Sequence, residues 1–455
     1  MINERMYQLG SQPNMIRKLY AYGLDRKAEV GEENVFDYSI GNPSIPAPAA
    51  VRARIEELLE EPAEQLHAYT MSPGLQSARQ AVADNLRERF GVEATFDKVY
   101  LTAGATAALY ISVAAITHPG DEVIVNTPYF AEYKVMTESA GCTLVEVPMR
   151  SSDFQLDIDA LRQAITEKTA AMVINSPNNP VGCIYTQENI EALAALLVEK
   201  EQEYGHPIYL ISDEPYREIT YGADVPFTAC FYDDTIVCYS WAKSLSLPGE
   251  RIGYVYVNNC MQDADNVFAA VCGAGRALGF ICAPVMFQRV IETCIKEPTN
   301  VDAYAENRKI LCSMLDELGY EYIPPDGAFY LWVKALEEDD DAFSEAAKAY
   351  DLLLVPASCF GGHGWVRASY CISPESIKNS RKAWAALKKD YSEPKRGGPF
   401  SAIHIGSIRF CIEWHTLPRE HCATLPSMLI AAGLCHRFID SSYKKVRMLE
   451  VDIVA

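Results

Sequence analysis

No stretch of the 455 residues is both long and apolar enough to span a bilayer, and Met1 to Gly10 lacks the apolar centre of a secretory signal. The expectation is a cytoplasmic protein with no membrane partner. Basic side chains are also in short supply, with 40 Lys and Arg against 61 Asp and Glu and a net charge of −21. That balance repels phosphate backbones and anionic lipid, so it argues against nucleic acid as a partner. Clustered cysteines are missing: the 14 present are scattered singly through apolar runs such as Ile236-Val237-Cys238. Buried free thiols in a reducing compartment fit that pattern better than a disulfide framework does. Internal repeats and low-complexity tracts are absent too. What remains, 49% hydrophobic and 22% charged residues, describes a globular chain long enough for two domains.

Residues 11–26 carry apolar side chains at loosely helical spacing, and Ile40-Gly41-Asn42-Pro43-Ser44-Ile45-Pro46 then breaks regular structure. Helices are expected over 49–60 and 75–90. From Val99 the rhythm becomes strand, loop, helix, with buried strands read at 99–102, 122–125, 171–175, 208–212, 235–239 and 252–257. Such alternation predicts an α/β architecture, a mostly parallel sheet with helices on both faces. After Thr293 the pattern changes to a long helix over 302–318, strands near 327–333 and 366–372, and a closing helix over 374–388. That section reads as a smaller α+β domain. Ser392-Glu393-Pro394-Lys395-Arg396-Gly397-Gly398-Pro399 has a linker's composition, and a tail follows that holds four of the eight histidines.

The chemistry gathers after predicted strand ends, where open α/β sheets bind ligands. Lys243 lies in Ser240-Trp241-Ala242-Lys243-Ser244, just past the 235–239 strand, with Arg251 eight residues on. A neutral amine there can form a Schiff base with a carbonyl such as that of pyridoxal phosphate (PLP), and an arginine with serine hydroxyls can hold a phosphate. A solvated loop lysine is the plain alternative. Gly104-Ala105-Thr106 opens a helix after the 99–102 strand and offers amides to a phosphate, or is an ordinary helix start. In Thr127-Pro128-Tyr129-Phe130-Ala131-Glu132-Tyr133 an aromatic ring can stack on a planar cofactor or pack in the core. Asn179 stands in a Pro/Asn turn that can be only a turn. Asp213 can pair with a pyridine nitrogen or serve as a cap, and Tyr216 follows three residues later.

With Asn179-Pro180, Asp213, Tyr216 and Ser240/Lys243/Arg251 together, residues 14–391 resemble the class I/II aminotransferases, fold-type I PLP enzymes of the aspartate aminotransferase superfamily. The resemblance implies a large domain (48–294) with a mostly parallel seven-stranded sheet. A small α+β domain would be built from 1–47 and 295–390, and 391–455 would be a tail of unknown structure. It implies that Lys243 carries PLP and moves the substrate's α-proton. Asp213 would pair with the pyridinium nitrogen, with Tyr216 and Asn179 on the ring's phenolic oxygen and Phe130 stacked on the ring. Ser240, Arg251 and the Gly104, Ala105 and Thr106 amides would bind the phosphate, joined by Tyr69 from a neighbouring subunit of a homodimer. Arg367, in Gly364-Trp365-Val366-Arg367-Ala368-Ser369, would clamp the substrate carboxylate, with Gly41 and Asn179 beside it. The reaction implied is ping-pong transfer from an L-amino acid (aspartate, aromatic or alanine-like) to a 2-oxo acid such as 2-oxoglutarate.

Two rival readings start from the same residues. A C–S β-lyase of the same fold would use the same lysine, and Asp213-Glu214-Pro215-Tyr216 favours the transaminase. A non-catalytic PLP-binding regulator would add a DNA-binding module, against which the acidic balance weighs. In the tail, Cys411, His415, His421, Cys422, Cys435 and His436 fit no zinc-finger spacing, so no metal is expected.

Overall fold

The computed structural model describes residues 2–11, 15–392, 400–405, 408–415 and 445–453. A two-residue strand, β1 (Phe36–Asp37), comes first. Then follow β2 (Val99–Thr102), β3 (Glu122–Thr127), β4 (Thr143–Pro148), β5 (Thr169–Asn175), β6 (Tyr209–Asp213), β7 (Thr235–Ser240) and β8 (Gly253–Val257). These last seven form one sheet in the order β2-β8-β7-β6-β5-β3-β4. Every pairing is parallel except those of β8, which runs antiparallel to both neighbours.

Period-two alternation decides which helix each side chain meets. Ile124, Met172, Ile174 and Leu210 pack on one face with Ile190, Leu193 and Leu197 of the helix Gln187–Tyr204. Their neighbours Val123, Val125, Ala171, Val173 and Ile211 pack on the other. There they meet Ala108, Leu109 and Ile111 of the helix Gly104–Ile116 and Val267 and Val271 of Ala264–Ala277. With both faces covered, every residue of β2, β7 and β8 is buried. Each such aliphatic side chain contributes roughly 1.5–3 kcal/mol.

The register lines up the chemistry. Asn175 faces Asp213, Asp213 faces Cys238, and both Thr102 and Ser240 face Gly253. The carboxyl ends of β5, β6, β7 and β2 therefore share one edge of the sheet. Later in the chain come β9 (Tyr322–Ile323), β10 (Tyr330–Lys334), β11 (Leu352–Leu353), β12 (Val355–Pro356) and β13 (Trp365–Ser369). An antiparallel sheet β12-β13-β10-β9 forms there, while β11 pairs in parallel with β1.

Several expected boundaries move. β4 was not among the strands expected: it is an edge strand interrupted by the exposed Glu146 and ending in Pro148, so its apolar run is too short to stand out. The helix after β2 begins at Gly104 rather than near Ala107. The expected closing helix is two, Pro374–Asn379 and Arg381–Ser392, and the first segment holds Glu4–Ser11 and Met15–Val30.

Residues 388–455 make a second compact unit. In it β14 (Phe400–Ile405), β15 (Ile408–His415) and β16 (Lys445–Ile453) pair antiparallel in that order. Cys411 and His415 fall on β15, whereas His421, Cys422, Cys435 and His436 lie outside the described residues. Among the described residues no group of three or more His, Cys, Asp or Glu is placed to hold a metal. No described helix is long and apolar enough to cross a membrane. The cysteines with described side chains, from Cys142 to Cys371, are free thiols.

Candidate active site

β7 ends at Ser240, whose hydroxyl accepts from the Ala242 amide at 3.1 Å and starts the one-turn helix Trp241–Ser244. Lys243 follows at once. Its Nζ donates to the Gly41 carbonyl at 2.5 Å and lies 5.3 Å from the Phe329 ring centre and 5.9 Å from that of Tyr216. Burial, aided by the nearby Arg367 and Arg251 cations and opposed by Cys371, brings its pKa down to about 8. Gly41 is required by close approach, since a Cβ there would collide with the Tyr330 hydroxyl.

Asp213, at the end of β6, is 4% exposed. Its Oδ2 accepts from Tyr133 Oη at 2.6 Å, and its backbone carbonyl accepts from Asn175 Nδ2 at 2.8 Å. Oδ1 is buried with no partner among the described residues. Burial pushes the carboxyl up to about 7, against the Tyr133 hydrogen bond and with a further push from Glu214. A buried acid with one orphaned oxygen is costly unless a donor or cation completes it.

Asn175 also orders the next turn, its Oδ1 accepting from the Asn179 amide at 2.7 Å. The Asn179 side-chain oxygen in turn accepts from Arg367 Nη1 at 2.9 Å, and Arg367 Nη2 donates to the Ser39 carbonyl at 2.6 Å. The Arg367 guanidinium sits 4.6 Å from the Tyr330 ring centre and 4.9 Å from that of Phe360, and its Nε is buried without a partner. Tyr216 Oη and Tyr330 Oη are 2.8 Å apart.

At the far side of the crevice the helix Gly104–Ile116 opens with no side-chain cap. Gly104 has a φ of 80°, and a Cβ on it would come within 2.7 Å of Arg251 Nη2. Arg251 Nη1 donates to the Pro248 carbonyl at 3.0 Å, while Ser240 Oγ donates to the Ile252 carbonyl at 3.2 Å. Ala105 and Thr106 form the rest of that first helical turn.

Lys243, Gly41, Asp213, Asn179, Tyr216, Arg367, Gly104, Arg251 and Ser240 are thus linked, directly or through one intermediary, at the carboxyl edge of the sheet. Phe130 joins through Tyr133, on which its ring sits edge-on at 5.7 Å. Tyr69 stands apart, 96% exposed. Tyr133, Tyr330 and Asn175 were not expected as site residues. Tyr133 lies three residues past Phe130 and Tyr330 closes the run Gly327-Ala328-Phe329-Tyr330, but nothing in spacing alone says which group each hydroxyl meets.

Residues 33–383 match the family model of aminotransferase class I and II. The chain belongs to that family. It is a PLP-dependent aminotransferase whose substrates are amino acids and oxo acids, with the α/β fold type I. A crystal structure of an amino transferase from Eubacterium rectale is similar to this aminotransferase with a TM-score of 0.84 and 50% identity, covering 86% of this chain and all of that one. The aspartate aminotransferase of Thermus thermophilus, solved with maleate, gives 0.76 at 28% identity over 85% of this chain and 99% of its own. A probable aspartate/prephenate aminotransferase from Thermus aquaticus is 31% identical over 359 residues, 76% of this chain and 89% of its own length.

Proposed function

We propose that the linked residues form a single transamination site in a cytoplasmic homodimer, with Lys243 as the proton-moving lysine and Arg367 as the carboxylate clamp. The observation that carries this reading is the pairing of a depressed Lys243 with a buried Asp213 whose Oδ1 lacks a partner. The residues present fit PLP. Asp213 Oδ1 suits a protonated ring nitrogen, and Tyr216 and Asn179 suit the phenolic oxygen. The uncapped Gly104-Ala105-Thr106 turn, Ser240 and Arg251 suit a phosphate. Phe130, edge-on to the Tyr133 that holds Asp213, suits a place against the ring, and the exposed Tyr69, beside the exposed Met71, suits a reach to a second subunit.

When bound, PLP supplies an electron sink for charge developing at the substrate Cα. Arg367 presents a planar fork that fixes the substrate carboxylate, with Asn179 and Gly41 beside it. Lys243 Nζ, unprotonated once the pH passes about 8, takes and returns the Cα proton. Residues 1–47 and 295–390 act as the small domain against 48–294, the β1–β11 pairing tying their two parts together. One site serves both half-reactions, so the kinetics are ping-pong.

Amino-donor choice among aspartate, aromatic and alanine-like acids is read by a screen against 2-oxoglutarate, scoring oxo-acid product with and without acceptor. Product that requires the acceptor is the expected result. Ammonia or sulfide released without one would make the protein a lyase. Gly104→Ala tests the phosphate end. The left-handed backbone costs a non-glycine residue about 1–2 kcal/mol, and the added methyl displaces Arg251. PLP affinity should fall about tenfold or more by equilibrium titration of the apoenzyme.

A further inference from the structure

The Tyr330 hydroxyl touches two of the groups that hold the reacting end of the site, and nothing above gives it a task. It is 2% exposed, and Tyr216 Oη at 2.8 Å is the only hydrogen-bond partner described for it among the described residues. Its face carries the Arg367 guanidinium at 4.6 Å, and its Oη fills the space where a Gly41 Cβ would sit, beside the carbonyl that accepts from Lys243. The backbone fixes this placement, because Tyr330 on β10 lies opposite Ser369 on β13, two residues from Arg367.

Each phenol has a single proton. If Tyr216 donated to Tyr330, its proton would be spent and its oxygen could only accept. If Tyr330 donates, the Tyr216 proton stays available for an acceptor in the crevice. Burial keeps both phenols protonated through the working range, raising Tyr330 to about 12 and Tyr216 well above its ordinary value. The charged or titratable groups facing Tyr330 among the described residues are Arg367, Cys371, Tyr216 and Tyr304.

We propose that Tyr330 is a positioning residue for amino transfer, donating to Tyr216 Oη so that the Tyr216 proton is directed at the bound ring, while its aromatic face seats the Arg367 clamp. This rests on the roles given above to Tyr216 and Arg367. One side chain then sets the electronics at one end of the site and carboxylate binding at the other, and the two tasks separate by substitution.

Tyr330→Phe keeps the face and removes the hydroxyl. The visible absorbance of the bound cofactor should then titrate upward by a few tenths of a pH unit, because a phenol that accepts a hydrogen bond donates its own proton more strongly, while the full shift of a lost bond belongs to Tyr216→Phe. KM for the amino acid should stay within about twofold, because the phenyl face still seats Arg367. Tyr330→Leu should in addition raise KM about three- to tenfold by removing that face. Tyr216→Phe serves as the reference, and the Tyr216→Phe/Tyr330→Phe double variant should titrate like Tyr216→Phe alone. A wild-type titration for Tyr330→Phe beside a shifted Tyr216→Phe overturns the relay, whether or not Tyr330→Leu folds. An unshifted Tyr216→Phe overturns the role of Tyr216 instead, and the relay with it.

Discussion

Lys243→Ala will lower turnover by at least about 10⁴-fold, the upper end of what a positioned proton-transfer group contributes. The fold will survive, because the side chain makes one hydrogen bond, to Gly41, and supports no apolar cluster. Borohydride treatment of the PLP-loaded wild type should fix label at position 243, and the variant should take none. The same amine carries a pH dependence. Its pKa is lowered to about 8, so the nucleophilic neutral form is scarce below that pH and dominant above it. Capture of PLP by apoenzyme, followed as the rise of visible absorbance, should quicken with pH through about 8 and then level. A rate that is flat from pH 6 to 9, or label elsewhere in the chain, would remove Lys243 from the chemistry.

Asp213→Asn should cost about 10²–10³-fold in turnover, the usual loss when one preorganised electrostatic partner goes. Stability should move the other way. The native carboxyl binds its proton up to about pH 7, whereas the unfolded one releases it near 3.8. Between those values the folded state holds more protons, so apoenzyme stability declines as pH rises through that window and stays lower above it. Asparagine has no such charge to bury. At pH 8 the variant apoenzyme should therefore melt at or above the wild-type temperature while being far less active. A variant that melts lower, or retains activity within tenfold, contradicts the assignment of an orphaned carboxylate.

Much of this was legible in the chain itself. Six strands of the main sheet declared themselves as apolar runs bounded by turns, and the polar residues following them could be assigned to one edge because parallel strands end together. β4 stayed hidden, since an edge strand needs only one covered face and Glu146 breaks its pattern. The pairing of β1 with β11 was equally hidden, because two residues give no periodicity. Residues of the proposed site that bear a distinctive charge or reactive atom, such as Lys243, Asp213 and Arg367, stood out against their apolar surroundings. Those that act by touching another side chain did not. Tyr133, Tyr330 and Asn175 look like core aromatics or a strand-end amide until distances of 2.6 to 2.8 Å reveal their partners.

Ser39 and Gly41 are separated by a single residue, yet their carbonyls hold cations that arrive from distant parts of the chain, Arg367 and Lys243. This three-residue span is a common hitching post for both. A substitution that reshapes this span would therefore disturb both restraints together, two hydrogen bonds each worth about 1 kcal/mol.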